Sequence, residues 1–206
     1  MNNHLVIKHH FRKIDPIIYS VMKDLDFSDW LKPRVAKRTA RGYFAALCRE
    51  IIGQQLSGKV ADIILTRFKG LSKSKIIKPQ DVLKLSDQKL RDVGMSWAKV
   101  KYVKDLALQI SSRSLNLHTV PYLSDEEVVH KLTQVKGIGR WTAEMFLIFT
   151  LGREDVFSFG DLGLKKGLQK LYKLKKVTEK NVHKIIAPWS PYKSYGSIAL
   201  WHSLES

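Results

Sequence analysis

A short glycine turn places the strongest constraint on how this chain can fold. Gly137 and Gly139 flank Ile138 at the junction of two apolar stretches. Glycine tolerates a positive φ angle, and it leaves the neighbouring backbone amides unshielded by a side chain. The two glycines therefore predict a tight turn with accessible N–H groups.

Helical patterns stand on both sides of this turn. Ser124 and Glu127 have the spacing of a capping box, which predicts a helix that begins there and ends near Val135. The stretch from Trp141 to about Leu151 is apolar on almost every face, as expected for a buried helix. Two helices joined by such a turn form a helix-hairpin-helix, and the free amides at the start of its second helix can bind a phosphate.

The composition indicates a polyanionic partner. The 206 residues carry a formal charge of +17 and 44% of them are hydrophobic, so the chain can bury a core as one domain or as two closely packed lobes. No apolar run approaches the ~20 residues that span a bilayer, and the first residues contain no apolar segment typical of a secretory signal. We therefore expect an intracellular protein that binds nucleic acid and no membrane, in the cytoplasm or nucleoid, or in the nucleus of a eukaryote.

Cysteine and histidine are too sparse to predict a metal site. Cys48 is the single cysteine, which excludes an internal disulfide and a four-cysteine iron–sulfur cluster. Because it follows small and apolar residues, we expect Cys48 to be a buried core residue. The seven histidines lack paired metal-ligand spacing, so no metal-binding residues are predicted.

The period of the apolar residues predicts an all-α fold. No strand alternation of any length occurs, whereas helical spacing recurs along the chain. We expect a helical lead-in over residues 1–35 and a core over 36–206. The core divides into a lobe around 43–112 and a lobe around 124–187 with a terminal helix to 204, because 113–123 lack a period and contain a proline.

Three short motifs follow one another around and after the glycine turn. They are VKGIGRWTA at 135–143, DVF at 155–157 and GDLGL at 160–164. Together they resemble the helix-hairpin-helix DNA glycosylases, the HhH-GPD superfamily, and most closely the 3-methyladenine DNA glycosylase II (AlkA-like) branch. The resemblance is most specific over 132–168 and extends more loosely from about Tyr43 to Trp201. It implies two helical lobes with a central cleft, and we expect no N-terminal sheet domain such as some members of the branch carry.

The resemblance assigns the chemistry to Asp161, twenty residues after Trp141. In the family, a carboxylate at this position stabilises the positive charge that develops on the sugar when an N-glycosidic bond breaks. Asp161 also precedes a helical pattern that begins at Leu162, so a purely structural N-cap is the alternative interpretation. The position of the lysine nucleophile in bifunctional members is occupied here by Trp141, which implies a monofunctional enzyme that leaves an abasic site.

Aromatic residues are expected to form the pocket for the flipped base. An alkylated purine is cationic, and such a ring gains ~0.5–2 kcal/mol by stacking on tryptophan. Trp141 suits a wall of this pocket, and Met145 follows it by one helical turn. The resemblance implies that Trp201 also lines the pocket. For all three residues, a place in the hydrophobic core is the competing interpretation.

Two sets of residues are expected to contact DNA. The resemblance assigns phosphate binding without sequence readout to Lys136, Gly137, Gly139, Arg140 and Thr142. The resemblance also implies that a side chain of the turn at 53–57 fills the gap left by the flipped nucleotide. Such a plug makes physical sense, because it replaces stacking that is lost when a base is extruded. Gln55 is the first choice for this plug and Leu56 the second, and an ordinary solvated turn is the alternative.

The resemblance also bears on cofactors and on one departure from the family. No catalytic cofactor is expected. Carbonyls at the positions of Thr133, Val135 and Ile138 can bind a monovalent cation in the family, so a structural cation at the hairpin is implied. Ser158 stands where the family commonly has proline, and this change is expected to loosen the loop that presents Asp161.

These observations predict a base excision repair enzyme. We expect a monomeric, monofunctional DNA glycosylase that binds double-stranded DNA containing a damaged base. Its reaction is hydrolysis of the N-glycosidic bond of alkylated purines, chiefly 3-methyladenine and 7-methylguanine. Two alternatives stay open, a non-enzymatic helix-hairpin-helix DNA-binding protein and a glycosylase for deaminated or oxidised bases.

Overall fold

Helices are the only regular secondary structure among the residues that the structure describes. A computed structural model places residues 3–30, 39–72 and 77–205, and no strand occurs within these ranges. The α-helices of these ranges are α1 (Asn3–Ile14), α2 (Pro16–Met22), α3 (Phe27–Trp30), α4 (Ala40–Gly53), α5 (Gly58–Gly70), α6 (Pro79–Lys84), α7 (Asp87–Asp92), α8 (Trp97–Ser111), α9 (Asp125–Thr133), α10 (Arg140–Phe146), α11 (Leu162–Tyr172), α12 (Glu179–Ile186) and α13 (Lys193–His202). None of these helices combines the length and the apolar composition needed to cross a membrane. The all-α prediction is confirmed for the described residues.

The helices form two compact units. Unit 1 combines residues 3–30 with 152–205, and unit 2 consists of the described residues between them. The predicted lobes followed chain order and differ from this grouping. Helices α1 to α3 belong to unit 1 instead of forming a separate lead-in, and α9 and α10 belong to unit 2.

Helix α13 is the central element of unit 1. It contacts α2, α3 and α11, and every residue from Ser194 to Leu200 is buried. The core around it draws apolar residues from both ends of the described chain: Ile7, Phe11, Ile18, Met22, Leu25, Phe27, Phe157, Leu164, Leu168, Val182, Ile186, Trp189, Tyr195, Ile198, Ala199 and Leu200. Because a buried Leu, Ile or Phe side chain contributes ~1.5–3 kcal/mol, α1 to α3 are an integral part of this core.

A buried carboxylate joins the helices of unit 1. Asp15 accepts hydrogen bonds from Tyr172 Oη at 2.6 Å, from Trp189 Nε1 at 2.8 Å and from the backbone N–H of Ile18 at 3.2 Å. Burial, together with the hydrogen bond to Asp15, raises the pKa of Tyr172. Three donors compensate the buried charge, which fixes α2 against α11.

Helix α8 has the corresponding role in unit 2. It contacts α4, α6 and α7, while α10 contacts α4 and α9. Val100, Val103, Leu106 and Ala107 form its buried face. Cys48 is buried on α4, and burial raises the pKa of its thiol, as expected for a core residue.

Helix α9 begins as the sequence predicts. The backbone N–H of Ser124 donates to Glu127 Oε2 at 2.7 Å, and the backbone N–H of Glu127 donates to Ser124 Oγ at 3.4 Å. These reciprocal bonds form a capping box. The predicted helix after the glycine turn begins at Arg140 and continues beyond α10 as a π-helical segment, Leu147–Leu151.

Candidate nucleic-acid interface and catalytic residues

The predicted helix-hairpin-helix is present in unit 2. Helix α9 ends at Thr133, the hairpin turn occupies 134–139, and α10 begins at Arg140. Gly137 adopts a φ of +82°, and a Cβ atom at this position would lie 2.1 Å from Cδ2 of Tyr102. The position requires glycine for two reasons, its left-handed backbone and the aromatic ring packed against it.

The start of α10 presents backbone N–H groups that suit a phosphate. The N–H of Ala143 donates to the Gly139 carbonyl at 3.1 Å, which is the first hydrogen bond within the helix. The N–H groups of Gly139, Arg140 and Thr142 precede it and have no acceptor within the helix. A Cβ atom at Gly139 would meet no atom within 4 Å, so the approach to these amides is open. The positive end of the helix dipole adds to their attraction for an anion.

The two basic side chains of the hairpin differ in their surroundings. The guanidinium of Arg140 donates to both carboxylate oxygens of Glu126 and, through Nε, to Glu144 at 3.0 Å. The hydrogen bond from Arg140 holds the pKa of Glu126 below its usual range. The side chain of Lys136 is 76% exposed, with Nζ 4.0 Å from Asp105. Lys136 is therefore accessible to DNA, whereas a phosphate has to compete with carboxylates for Arg140.

The predicted plug residues lie in the same unit. The plug turn, residues 53–57, follows α4, and the N–H of Leu56 donates to the Gly53 carbonyl at 3.1 Å. Gln55 is exposed and has a φ of +58°, a left-handed value that costs a non-glycine residue ~1–2 kcal/mol. Gln55 and Leu56 line an open hollow of about 600 Å³ together with Trp141. We call this the plug hollow.

The structure separates the predicted residues of α10 into exposed and buried ones. Trp141 is 42% exposed and lines the plug hollow, which favours a contact role over core packing. Thr142 is 3% exposed, and its Oγ1 accepts a hydrogen bond from Gln54 Nε2 at 3.4 Å, so its side chain is engaged inside unit 2. Met145 is buried, which favours the core interpretation that the sequence left open.

Helix α8 carries a polar stripe that the sequence analysis did not single out. Its four residues recur every three or four positions and contact the plug turn or the hairpin turn: Lys99, Tyr102, Asp105 and Gln109. Burial lowers the pKa of Lys99, whose Nζ donates to two carbonyls at the end of α4. The signal in the sequence was a second, polar face on a helix whose other face is apolar.

In unit 1, Asp161 caps α11 and contacts Trp201. Asp161 Oδ1 accepts a hydrogen bond from the backbone N–H of Leu164 at 2.8 Å and another from Trp201 Nε1 at 3.0 Å. The residue is 8% exposed, and Leu162 beside it is exposed. Trp201 therefore orients the carboxylate, a role that adds to its predicted place in a base pocket.

Gly163 permits this contact, and the sequence analysis assigned it no role. A Cβ atom at Gly163 would lie 2.9 Å from Trp201 Cδ1 and 3.0 Å from Asp161 Oδ1, closer than the 3.4–4 Å of ordinary contacts. A glycine two positions after the aspartate thus leaves room for the indole. The order Asp-Leu-Gly at 161–163 was the available signal.

The loop that presents Asp161 is held by α13. Ser194 Oγ donates to the Arg153 carbonyl at 2.7 Å and accepts the N–H of Val156 at 3.0 Å. The N–H of Asp161 donates to the carbonyl of Ser158, a buried residue, at 3.2 Å. These bonds oppose the loosening expected from the absence of proline at position 158.

Comparisons with known proteins identify the family to which these features belong. Residues 48–191 match the family described as HhH-GPD superfamily base excision DNA repair protein, a range that includes the hairpin turn and Asp161. This chain belongs to the HhH-GPD superfamily. The resemblance inferred from the three motifs is confirmed.

Two relatives and one solved structure show how far the similarity of this HhH-GPD chain extends. The Bacillus subtilis protein YfjP is 35% identical over 162 residues, which are 75% of this chain and 56% of YfjP. DNA-3-methyladenine glycosylase 1 of Schizosaccharomyces pombe is 35% identical over 161 residues, 77% of this chain and 71% of that protein. The structure of S. pombe 3-methyladenine DNA glycosylase (Mag1) in complex with abasic DNA superposes with a TM-score of 0.77 at 29% identity over 97% of each chain. The chain spans little more than half the length of YfjP and most of the other two.

Proposed function

We propose that this HhH-GPD chain is a monofunctional DNA glycosylase of base excision repair. It hydrolyses the N-glycosidic bond of alkylated purines, chiefly 3-methyladenine and 7-methylguanine, and leaves an abasic site. The observation that carries the proposal is the Asp161 carboxylate, oriented by two N–H donors at the start of α11. The relatives named as 3-methyladenine DNA glycosylases support the choice of base.

Asp161 acts through its charge. Cleavage of the bond gives the sugar oxocarbenium-like character, and a fixed carboxylate stabilises this positive charge. The donors from Leu164 and Trp201 restrict the rotation of the carboxylate, and the start of α11 favours an anion. The same group orients the attacking water. Because the alkylated purine is already cationic, it leaves without a strong general acid.

Trp141 determines two properties of the proposed enzyme. Its exposed indole provides a face on which a cationic base can stack, with a gain of ~0.5–2 kcal/mol. It also occupies the position of the lysine nucleophile in bifunctional members, so no Schiff base forms there. The product is therefore an abasic site in an intact strand.

Double-stranded DNA with a damaged base is the proposed partner. The amides of Gly139, Arg140 and Thr142 bind a phosphate at the hairpin turn, and Lys136 adds a positive charge beside it. Gln55 fills the gap left by the extruded nucleotide. The formal charge of +17 makes binding to DNA largely independent of sequence and sensitive to salt.

We also propose a structural monovalent cation at the hairpin and no catalytic cofactor. The proposed ligands are the carbonyls of Thr133, Val135 and Ile138, since oxygen atoms are suitable ligands for such an ion. They lie at the end of α9 and in the turn, where carbonyls lack partners within a helix. The Val135 carbonyl accepts the N–H of Ile138 at 3.1 Å and keeps a second lone pair for a cation.

The proposed assembly is a monomer inside the cell. The hairpin and Asp161 both belong to this chain. Its substrate is chromosomal DNA, which lies in the nucleoid or the nucleus. Sedimentation of the protein with and without a short duplex tests the monomer, and a dimer under either condition contradicts it.

Replacing Asp161 with asparagine tests the proposed reaction. The asparagine Oδ1 can still accept the hydrogen bonds from Leu164 and Trp201, so the variant should fold and bind duplex DNA that contains an abasic analogue. Release of 7-methylguanine should fall by at least about a hundredfold, because the charge that stabilises the transition state is gone. Asp24→Asn is the matched control, since Asp24 is an exposed aspartate of the same unit. Near wild-type release by Asp161→Asn would remove Asp161 from the mechanism. No release by the wild-type protein would favour a DNA-binding protein without enzymatic activity.

A further inference from the structure

One side chain joins the plug turn directly to the hairpin turn. Gln54 Nε2 donates to the carbonyl of Gly137 at 2.8 Å and lies 3.4 Å from Thr142 Oγ1. Gln54 and Gly137 are 83 positions apart in the chain, so this contact exists only in the folded unit. It links the residue next to the plug with the glycine at the centre of the hairpin turn.

Helix α8 supports the plug turn from one end of its polar stripe. Lys99 Nζ donates to the carbonyl of Ile52 at 2.9 Å and to the carbonyl of Gln54 at 2.8 Å. These carbonyls lie at the end of α4, where they have no partners within the helix. A positive charge at this helix end stabilises the turn that follows.

The rest of the same stripe supports the hairpin turn. The ring of Tyr102 packs against Gly137, Asp105 Oδ2 accepts the backbone N–H of Lys136 at 2.9 Å, and Gln109 Nε2 donates to the carbonyl of Gln134 at 3.0 Å. Both turns are therefore fixed to one helix face as well as to each other through Gln54.

We propose that Gln54 is a positioning residue that fixes the distance between the plug and the phosphate-binding amides, an inference that rests on the proposed function. During base extrusion the hairpin holds one phosphate while Gln55 has to enter the stack at a set distance along the DNA. Extrusion costs a few kcal/mol, and a plug that is displaced recovers less of this energy. The hydrogen bond from Gln54 to Gly137 keeps the plug turn and the hairpin turn at a fixed distance. Its effect on the rate of base release is largest when the lesion is well paired, because extrusion then costs most.

Gln54→Met tests this role, because methionine keeps the length of the side chain and removes its donor. Single-turnover release of 7-methylguanine is measured from two duplexes, one with cytosine and one with an abasic analogue opposite the lesion. The second duplex needs less work for extrusion. We expect Gln54→Met to slow release from the paired duplex about tenfold, which is ~1.4 kcal/mol in the barrier and lies within the usual range of one net hydrogen bond. Release from the unpaired duplex should slow by less than about threefold, or ~0.65 kcal/mol.

Gln109→Met is the matched control. It removes the same kind of hydrogen bond to a hairpin carbonyl without touching the plug turn. The ratio of the release rate from the paired duplex to the release rate from the unpaired duplex should therefore equal the wild-type ratio. Lys99→Met is a second test variant. It removes the hydrogen bond from Lys99 to the Gln54 carbonyl in the plug turn, so it should change the ratio of the two release rates in the same direction as Gln54→Met. Thermal melting of each variant establishes that it is folded.

Two outcomes would overturn the inference. One is that Gln54→Met slows base release from both duplexes by the same factor, which is the result expected for a purely structural role. The other is an equal change of the ratio by Gln109→Met. Base extrusion is followed in parallel by the fluorescence of a 2-aminopurine placed beside the lesion. This measurement does not require release of the base. A wild-type protein that extrudes the base without releasing it refutes the proposed function, while the effect of Gln54→Met on extrusion still decides the inference.

Discussion

Replacing Gly163 with alanine should slow catalysis in a protein that still folds. The added Cβ would lie 2.9 Å from Trp201 Cδ1, 3.1 Å from Trp201 Nε1 and 3.0 Å from Asp161 Oδ1. Because ordinary contacts of a Cβ atom measure 3.4–4 Å, the indole has to move away from the carboxylate. The hydrogen bond of 3.0 Å from Trp201 to Asp161 is then lost, and the donor from Leu164 is kept.

The size of the effect follows from this contact. A hydrogen bond to a charged group contributes ~1.5–3 kcal/mol, which lowers the rate roughly 10- to 100-fold if all of it acts in the transition state. Stability also falls. Crowding costs ~1–3 kcal/mol and the lost hydrogen bond adds to this cost, whereas alanine favours a helix over glycine by ~0.5–1 kcal/mol. We expect Tm to fall by about 2–4 °C for each kcal/mol of net loss.

The assay is single-turnover release of 7-methylguanine, with a thermal melt of each protein. Gly160→Ala is the control, because this glycine immediately precedes Asp161 and its Cβ would meet no atom within 4 Å. Its rate should stay within about twofold of wild type, since substitutions without contacts usually change free energies by ~0.5 kcal/mol or less. Trp201→Phe removes the same donor without adding a Cβ and also changes the predicted base pocket, so it should slow release at least as much as Gly163→Ala does.

Wild-type release by a folded Gly163→Ala protein would refute the assignment of Trp201 as the residue that orients Asp161. Equal losses in Gly160→Ala and Gly163→Ala would instead show that the loop before α11, and not the indole, determines the rate.

Two further predictions concern the hairpin. Glu126→Gln weakens the ion pair that engages Arg140, so affinity for abasic-analogue DNA should rise about two- to fivefold at low salt. The affinity, measured by fluorescence anisotropy, should converge on the wild-type value as added salt screens the charges. No gain at low salt would show that Glu126 does not compete with phosphate. Exchange of potassium for tetramethylammonium, which is too large for a ring of carbonyls, should weaken binding to the same DNA, and equal affinity in the two salts would contradict the cation at Thr133, Val135 and Ile138.

Local sequence predicts the elements that depend on neighbours in the chain. The capping box at Ser124 and the glycine turn at Gly137 are confirmed, because caps and turns are determined by a few adjacent residues. Asp161 was predicted as a catalytic residue with an N-cap as the alternative, and the structure shows that it is an N-cap. Its catalytic role stays a prediction that the Asp161→Asn experiment decides.

Contacts between distant segments could not be predicted in the same way. The hydrogen bond from Trp201 to Asp161 spans 40 positions, and the one from Gln54 to Gly137 spans 83. Neither leaves a period or a spacing in the sequence, since each depends on how helices pack. The grouping of α1 to α3 with α13 was missed for the same reason, because an amphipathic pattern identifies a buried face and does not identify its partner.

The discontinuity of unit 1 has a consequence for synthesis on the ribosome. Chains emerge from their N-terminal end and domains fold as units. Helices α1 to α3 therefore leave the exit tunnel long before α13, whose Ile198 and Leu200 complete the core around Phe11 and Met22. Unit 2 is complete in one segment and can fold first. The apolar faces of the first three helices therefore lack their partner until α13 has been synthesised.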